Sequence, residues 1–301
     1  MSLEEKYYQK DRIVRGVDPD GYFKIAVAKT TNVVREVSRR HSLSLLNKVI
    51  LGRALTGASI LASDLKGEER IQLHFEGDGP IGRLTAEGNS TGEVRGYVQN
   101  PQAELNPEHL HNNMGAGLGS GLLQFSKTLY NESQPRTSTT QLQKGDVTQD
   151  LAFYMVQSEQ VPSGVKLDVG MDDNGEVNAS GGIIIQRMPG APDDAISELQ
   201  ENLENLESVN ELLNQGFYID SIMQKAMKPF EVKELTRYPV DFFCRCSRDR
   251  FKNALYMLGH EELKDMEGEP QVLVCHYCNE HYFFPKDEIQ DIAEQSQAKL
   301  N

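Results

Sequence analysis

Apolar residues recur with two different periods along this chain, and each change of period marks an element. Between residues 30 and 40, Val33, Val34 and Val37 fall three and four apart. That spacing predicts a helix, with Asn32 as its cap. From residue 45 to 65 the chain is apolar on nearly every face, with Leu46, Ile50, Ala54, Ala58 and Leu61 forming one of its stripes. A helix of that kind belongs inside a core. Lys66-Gly67 supplies a cation and a glycine to end it. The period then shortens to two. Residues 71–75 alternate and stop at Gly77-Asp78-Gly79-Pro80, and strand-like runs follow at 82–87, 93–98, 121–128, 151–157, 165–171 and 182–186. Asn174-Gly175, between the last two, is a hairpin turn signal. These elements predict an α/β (α+β) N-terminal domain with a largely antiparallel sheet.

The pattern changes again after residue 189. Pro192 and Asp193-Asp194 form a helix start. Ile196, Leu203 and Asn210 then fall seven apart, as do Leu199, Leu206 and Leu213, an a/d stripe with one polar member. No Lys or Arg occurs between positions 188 and 224, while Glu198, Glu201, Glu204, Glu207 and Glu211 recur every three or four residues. Like charges at those spacings destabilise a helix by about 0.2–0.5 kcal/mol per pair. The stripe therefore needs a surface to lie on. An ordinary amphipathic helix docked on the body is the plainer reading; a segment poised near unfolding is the functional one.

Cysteine adds chemistry to this outline. Four cysteines lie in the last fifth of the chain and nowhere else: Cys244-Arg245-Cys246, then Cys275-His276-Tyr277-Cys278. Two pairs are what one tetrahedral zinc requires, so Cys244, Cys246, Cys275 and Cys278 are the candidate ligands. His276, His281 and His260 are nearby donors, but four thiolates already fill the site. Around the pairs, Ser247 can cap a helix running to about residue 258, ended by Gly259. Residues 271–274 and 281–284 read as strands flanking a knuckle. About 60 residues hold little core, so a metal would carry much of this end's stability. The same sulfurs are oxidisable, which leaves a static zinc knuckle and a redox switch both open. The chain thus divides into a body (1–189), an acidic metastable helical linker (190–238) and a cysteine-bearing end (239–301).

Charge and composition narrow the classes. The net charge of −14 opposes a nucleic-acid partner. No apolar run of about 18 residues and no apolar leader is visible, so neither a membrane partner nor secretion is expected. Clustered cysteines without a leader point to a reducing, cytoplasmic compartment. The run Gly115-Ala-Gly117-Leu-Gly119-Ser-Gly121 departs from G-x-G-x-x-G, and no Walker lysine follows. No G-x-S-x-G setting occurs either, so no catalytic residue is assigned.

Several stretches together resemble the redox-regulated thirty-three-kilodalton heat-shock chaperones, bacterial ATP-independent holdases. In the body they are GRALTGASILASDLKG (52–67), GDGPIGRLTAEG (77–88), VRGYV (94–98) and QSEQ (157–160). At the end they are CRCSRDR (244–250), ALYMLGHEE (254–262) and VCHYCNEHYFF (274–284). The resemblance implies one zinc on the four cysteines in an inactive reduced form. It also implies that oxidation to Cys244–Cys246 and Cys275–Cys278 disulfides expels zinc and loosens the linker. The active form would be a homodimer that binds unfolded client proteins, with the body serving for substrate binding and dimerisation. A thiol–disulfide oxidoreductase built on the CHYC motif, and a zinc ribbon acting on nucleic acid, are the rival classes.

Overall fold

Thr31–His41 (α1) and Leu45–Ala62 (α2) form helices where the valine spacing and the all-round apolar run place them. The computed structural model describes residues 8–105, 114–132, 134–258, 260–266 and 268–300. It divides into two units, Met1–Phe243 and Cys244–Asn301. In the first unit, two sheets enclose α2. One sheet runs in the order β10 (Lys233–Pro239), β1 (Arg12–Val17), β2 (Phe23–Lys29), β9 (Val177–Arg187), β8 (Ser163–Met171), antiparallel throughout. The other runs β11 (Asp241–Phe242), β5 (Glu93–Val98), β4 (Arg83–Asn89), β3 (Arg70–Gly77), β6 (Gly121–Thr128), β7 (Arg136–Gln141). It is antiparallel except for β11, which joins β5 in parallel.

Helix α2 touches β2, β8 and β9 on one side and β3, β4 and β5 on the other. Being apolar all round is what a helix between two sheets requires. By length and apolarity it could also cross a membrane, yet most of it is buried in this unit. Gly88 permits the close approach, since a Cβ there would lie 2.9 Å from the Ala58 carbonyl oxygen. The glycine-rich run holds one 3₁₀ turn, Met114–Gly117, pressed against the turn before β4. A Cβ on Gly79 would lie 2.5 Å from the Gly117 carbonyl, which leaves no phosphate cradle at that point.

Three predicted features of the body change. Helix α2 ends at Ala62 with Ser63 as its C-cap, short of Lys66-Gly67. Residues 151–157 are not a strand; they belong to helix α3 (Val147–Gln157). Asp146 caps it, accepting from the Thr148 and Gln149 amides at 3.0 and 3.1 Å, and Val147, Leu151, Tyr154 and Met155 form its buried face. Asn32 does not cap α1; its amide donates to the Gln9 carbonyl. Asp11 instead accepts the Val33 amide at 2.9 Å from outside the helix.

The inner strands β2 and β9 of the first sheet are buried on both faces. Ala26, Ala28 and Ile184 face α2, while Val14, Phe23, Ile25, Val27, Ile183 and Ile185 face a second core. Three short helices cover that outer face: α4 (Asp193–Asn205), α5 (Val209–Asn214) and α6 (Ile219–Ala226). The heptad stripe is therefore not one helix. Leu206 is extended (φ −70°, ψ 134°), and Ser208 with Glu211 starts α5 as a capping box. Leu199, Leu206, Val209 and Leu212 are buried, and Ile196, Leu203 and Leu213 pack at the margin. Polar ties hold the helices down. The Val209 amide donates to Asp168 Oδ2 on β8 at 2.7 Å, and the Lys166 ammonium donates to the Leu206 carbonyl. The Asn202 side chain donates to the Lys225 and Ala226 carbonyls at 3.1 and 2.9 Å. A mostly apolar cavity of about 470 Å³ remains between α4 and the sheet, lined by Phe23, Val165, Ile185, Ile196, Leu199 and Leu203, with Lys166, Arg187 and Glu204 also on its wall.

A four-thiol candidate metal centre

The second unit is built around a hairpin. Strands β12 (Gln271–Val274) and β13 (His281–Phe284) pair antiparallel, with Leu273 opposite Tyr282. Between them the chain turns back through Cys275–Cys278. The Cys275 amide donates to the Glu280 carbonyl at 2.9 Å, and Asn279 donates to the Cys275 carbonyl at 2.8 Å. Asn279 closes the turn with φ +56°, a conformation asparagine tolerates better than most residues. Three helices complete the unit: α7 (Arg248–Tyr256), α8 (His260–Met266) and α9 (Lys286–Leu300). Ser247 caps α7 as its sequence suggests, its Oγ accepting the Arg250 amide at 3.2 Å. The helix ends at Tyr256, with Met257 as its C-cap. Gly259, the expected terminator, and the His260 side chain lie outside the described residues.

The core of this unit is small: Leu255, Leu263, Phe284, Ile289, Ile292 and Ala293, flanked by Phe251 and Tyr282 among others. An ion-pair cluster helps close it. Glu288 of α9 accepts from the guanidinium of Arg248 and lies 2.9 Å from the Lys252 ammonium, both on α7. Those two cations, Arg248 foremost, push the Glu288 carboxyl down to about 2.

The start of α7 and the hairpin turn bring all four sulfurs within 4.8 Å of one another. Cys244 and Cys275 are 3.6 Å apart, and Cys246 and Cys278 are 3.2 Å apart. A zinc ion with bonds of about 2.3 Å holds four thiolates about 3.8 Å apart, so the donor set and its spacing fit one tetrahedral ion. Cys275 and Cys278 are buried, whereas Cys244 and Cys246 are partly open. Burial pushes the Cys278 and Cys244 thiols up. Burial opposes ionisation at Cys246 too, but the Tyr282 hydroxyl, 3.1 Å away, and the neighbouring thiols outweigh it and bring that thiol down. His276 and His281 are exposed and stand outside the cluster. Spacing in the sequence therefore locates the four sulfurs but misses Tyr282. Its signal was the alternation of β13, which turns Tyr282 and Phe284 inward and leaves His281 and Phe283 outside.

A two-sheet body with its outer face under short helices, followed by a small four-thiol unit, defines a protein with a separate cysteine knuckle. The Hsp33 protein family model matches residues 11–285. The 33 kDa chaperonin of Desulforamulus reducens is 38% identical over 294 residues, spanning 96% of this chain and 99% of that protein. The 33 kDa chaperonin of Bacillus subtilis is 35% identical over 293 residues, spanning 95% and 99%. The crystal structure of the 33 kDa chaperonin of Thermotoga maritima superposes with a TM-score of 0.90 at 30% identity, covering 96% of this chain and all of that one. The chain belongs to the Hsp33 family of chaperones.

Proposed function

We propose that this protein is a redox-regulated, ATP-independent holdase of the cytoplasm, inactive while reduced and zinc-bound. The gathering of four sulfurs within 4.8 Å carries the reading. Cys244, Cys246, Cys275 and Cys278 would hold the ion. Bound zinc keeps four thiolates together and ties the hairpin to the start of α7. Peroxide transfers an oxygen to one thiolate of a pair, giving a sulfenic acid and hydroxide. The partner thiolate then attacks the sulfenic sulfur, closing the disulfide and expelling a second hydroxide. Two peroxides oxidise four thiolates in this way, and no donor remains for the metal.

The pairing matters because every sulfur is near every other. Disulfides across the pairs, 244 to 275 and 246 to 278, would staple the hairpin to α7. Disulfides within the pairs, Cys244–Cys246 and Cys275–Cys278, leave the two free to separate. Only within-pair closure turns oxidation into loss of structure. The segment 190–238 would then leave the body, uncovering Val14, Phe23, Ile25, Val27, Ile183 and Ile185. A sheet face of this kind binds unfolded clients and, if left exposed, aggregates. Residues 1–189 would bind clients and form the oxidised homodimer. The CHYC run gives an oxidoreductase reading no support, because it occupies a hairpin turn rather than opening a helix.

Light scattering of an unfolded client tests the function. Reduced zinc-loaded protein should leave aggregation unchanged. Protein oxidised with peroxide and heat should suppress it, with one zinc released and free thiols falling from four toward zero. Equal protection by both forms, or zinc retained after all four thiols are lost, refutes the switch.

A further inference from the structure

Of the two partly open sulfurs, Cys246 has a side-chain donor from outside the cluster aimed at it. The Tyr282 hydroxyl lies 3.1 Å from Cys246 Sγ. Tyr282 is held for that task. It lies on the inward face of β13 opposite Leu273, and its ring packs against Phe251 of α7 at 4.9 Å between centroids. Exposure alone would send an oxidant first to the open pair, since Cys275 and Cys278 are only 6% and 4% exposed. A hydrogen bond to a thiolate draws on the lone pair that attacks peroxide, and so slows attack at that sulfur.

We propose that Tyr282 is a positioning residue that restrains Cys246, making the Cys244–Cys246 pair the slower to oxidise and so setting the oxidant level at which the knuckle opens. The proposal rests on the zinc-switch reading. Its chemistry is the step already balanced: a thiolate and peroxide give sulfenic acid and hydroxide, and the partner thiolate then gives disulfide and a second hydroxide. Tyr282 acts before that step, through the electron density and orientation of Cys246 Sγ.

The test compares reduced, zinc-loaded parent, Tyr282→Phe and Tyr256→Phe under limiting peroxide. Reaction is stopped with N-ethylmaleimide, each cysteine is followed by peptide mass mapping, and zinc is followed with a chromogenic chelator. Tyr256 is the control, a hydroxyl of the same unit bonded to Gln295 Oε1 at 3.0 Å and away from the sulfurs. Phenylalanine keeps the packing on Phe251, so Tyr282→Phe should fold and melt as the parent does. Its Cys246 should react about three- to tenfold faster, with Cys275 and Cys278 within about twofold of the parent. Its zinc should bind about tenfold more weakly. Tyr256→Phe should match the parent. An unchanged Cys246 rate overturns the proposal, and so does equal acceleration of all four sulfurs, which would mean a loosened unit. A parent that binds no zinc refutes the metal reading instead. The restraint on a zinc-held thiolate then falls with that reading.

Discussion

Asp168→Ala is the substitution that most directly separates the covering helices from the thiol centre. Asp168 lies on β8, and its Oδ2 accepts the Val209 amide at 2.7 Å, at the first turn of α5. Neither the cysteines nor the covering helices change in sequence. Helix α5 is only six residues long and has no stability of its own, so it persists only while docked. A hydrogen bond to a charged group contributes about 1.5–3 kcal/mol. Asp168 is only partly buried, so water compensates in part, leaving roughly 1–2 kcal/mol. That shifts the docked–undocked equilibrium about 5- to 30-fold. Reduced, zinc-loaded Asp168→Ala should therefore exchange amide hydrogens faster across 193–214 and protect a client measurably without oxidant. Asp168→Asn keeps an acceptor oxygen and should fall between. Unchanged exchange would mean the carboxylate does not hold α5. Faster exchange with no gain in client protection would refute the idea that these helices cover the client-binding face.

Three further outcomes are expected. In a mass-mapped oxidation course of the parent, Cys275–Cys278 should close before Cys244–Cys246, because a CxC ring is more strained; Cys244–Cys246 appearing alone contradicts this. Glu201→Lys with Glu204→Lys should stabilise α4 and reduce client protection after oxidation while zinc release stays normal. Only Glu198, Glu201 and Glu204 share that helix and Glu211 is engaged with Ser208, so the gain is about 1 kcal/mol or less. Full protection by this variant would remove charge repulsion from the account. Glu288 has its folded pKa lowered from 4.5 to about 2, so its contribution is present above about pH 4.5 and is lost as pH falls toward 2. Because its ion pairs are reached by water, that contribution is about 1 kcal/mol. Glu288→Gln should flatten the acid limb of the cysteine unit's stability curve, and an identical limb in both proteins would show that the pair contributes nothing.

Local signals were legible in the sequence and tertiary ones were not. Ser247, the strands at 271–274 and 281–284, and the buried helix at 45–62 each follow from residues within one turn or one strand. Strands β1 and β2 left no clear alternation, because β2 is buried on both faces. Residues 151–157 read as a strand because their apolar run is short, and the cap that makes them helical, Asp146, lies five residues upstream of that run. Counting heptads joined α4 to α5 across Leu206, where the Ser208–Glu211 box begins a new helix. The sulfur cluster was visible as two pairs. Which sulfurs approach one another, and that Tyr282 reaches Cys246, depend on how β13 meets α7.

Strands β10 and β11 separate the covering helices from the first cysteine along the chain. After α6 the backbone is zipped to β1 through β10, from Lys233 opposite Val17 to Pro239 opposite Arg12, with one irregularity near Arg15. It then crosses to the other sheet, where Asp241 and Phe242 pair with Glu93 and Val94. If the knuckle opens as proposed, slack arising at Cys244 would be stopped first by a two-residue seam and then by a longer one. The second seam is a sheet edge, with no strand beyond β10, so it would open residue by residue from its Pro239 end like a zip fastener; the run of exposed residues, 233–236, lies at its helix end. In the proposed switch such a fastener would give the chain route a delay and a direction. Brief damage to the knuckle would fray the seam and heal, while lasting damage would run on to the helices.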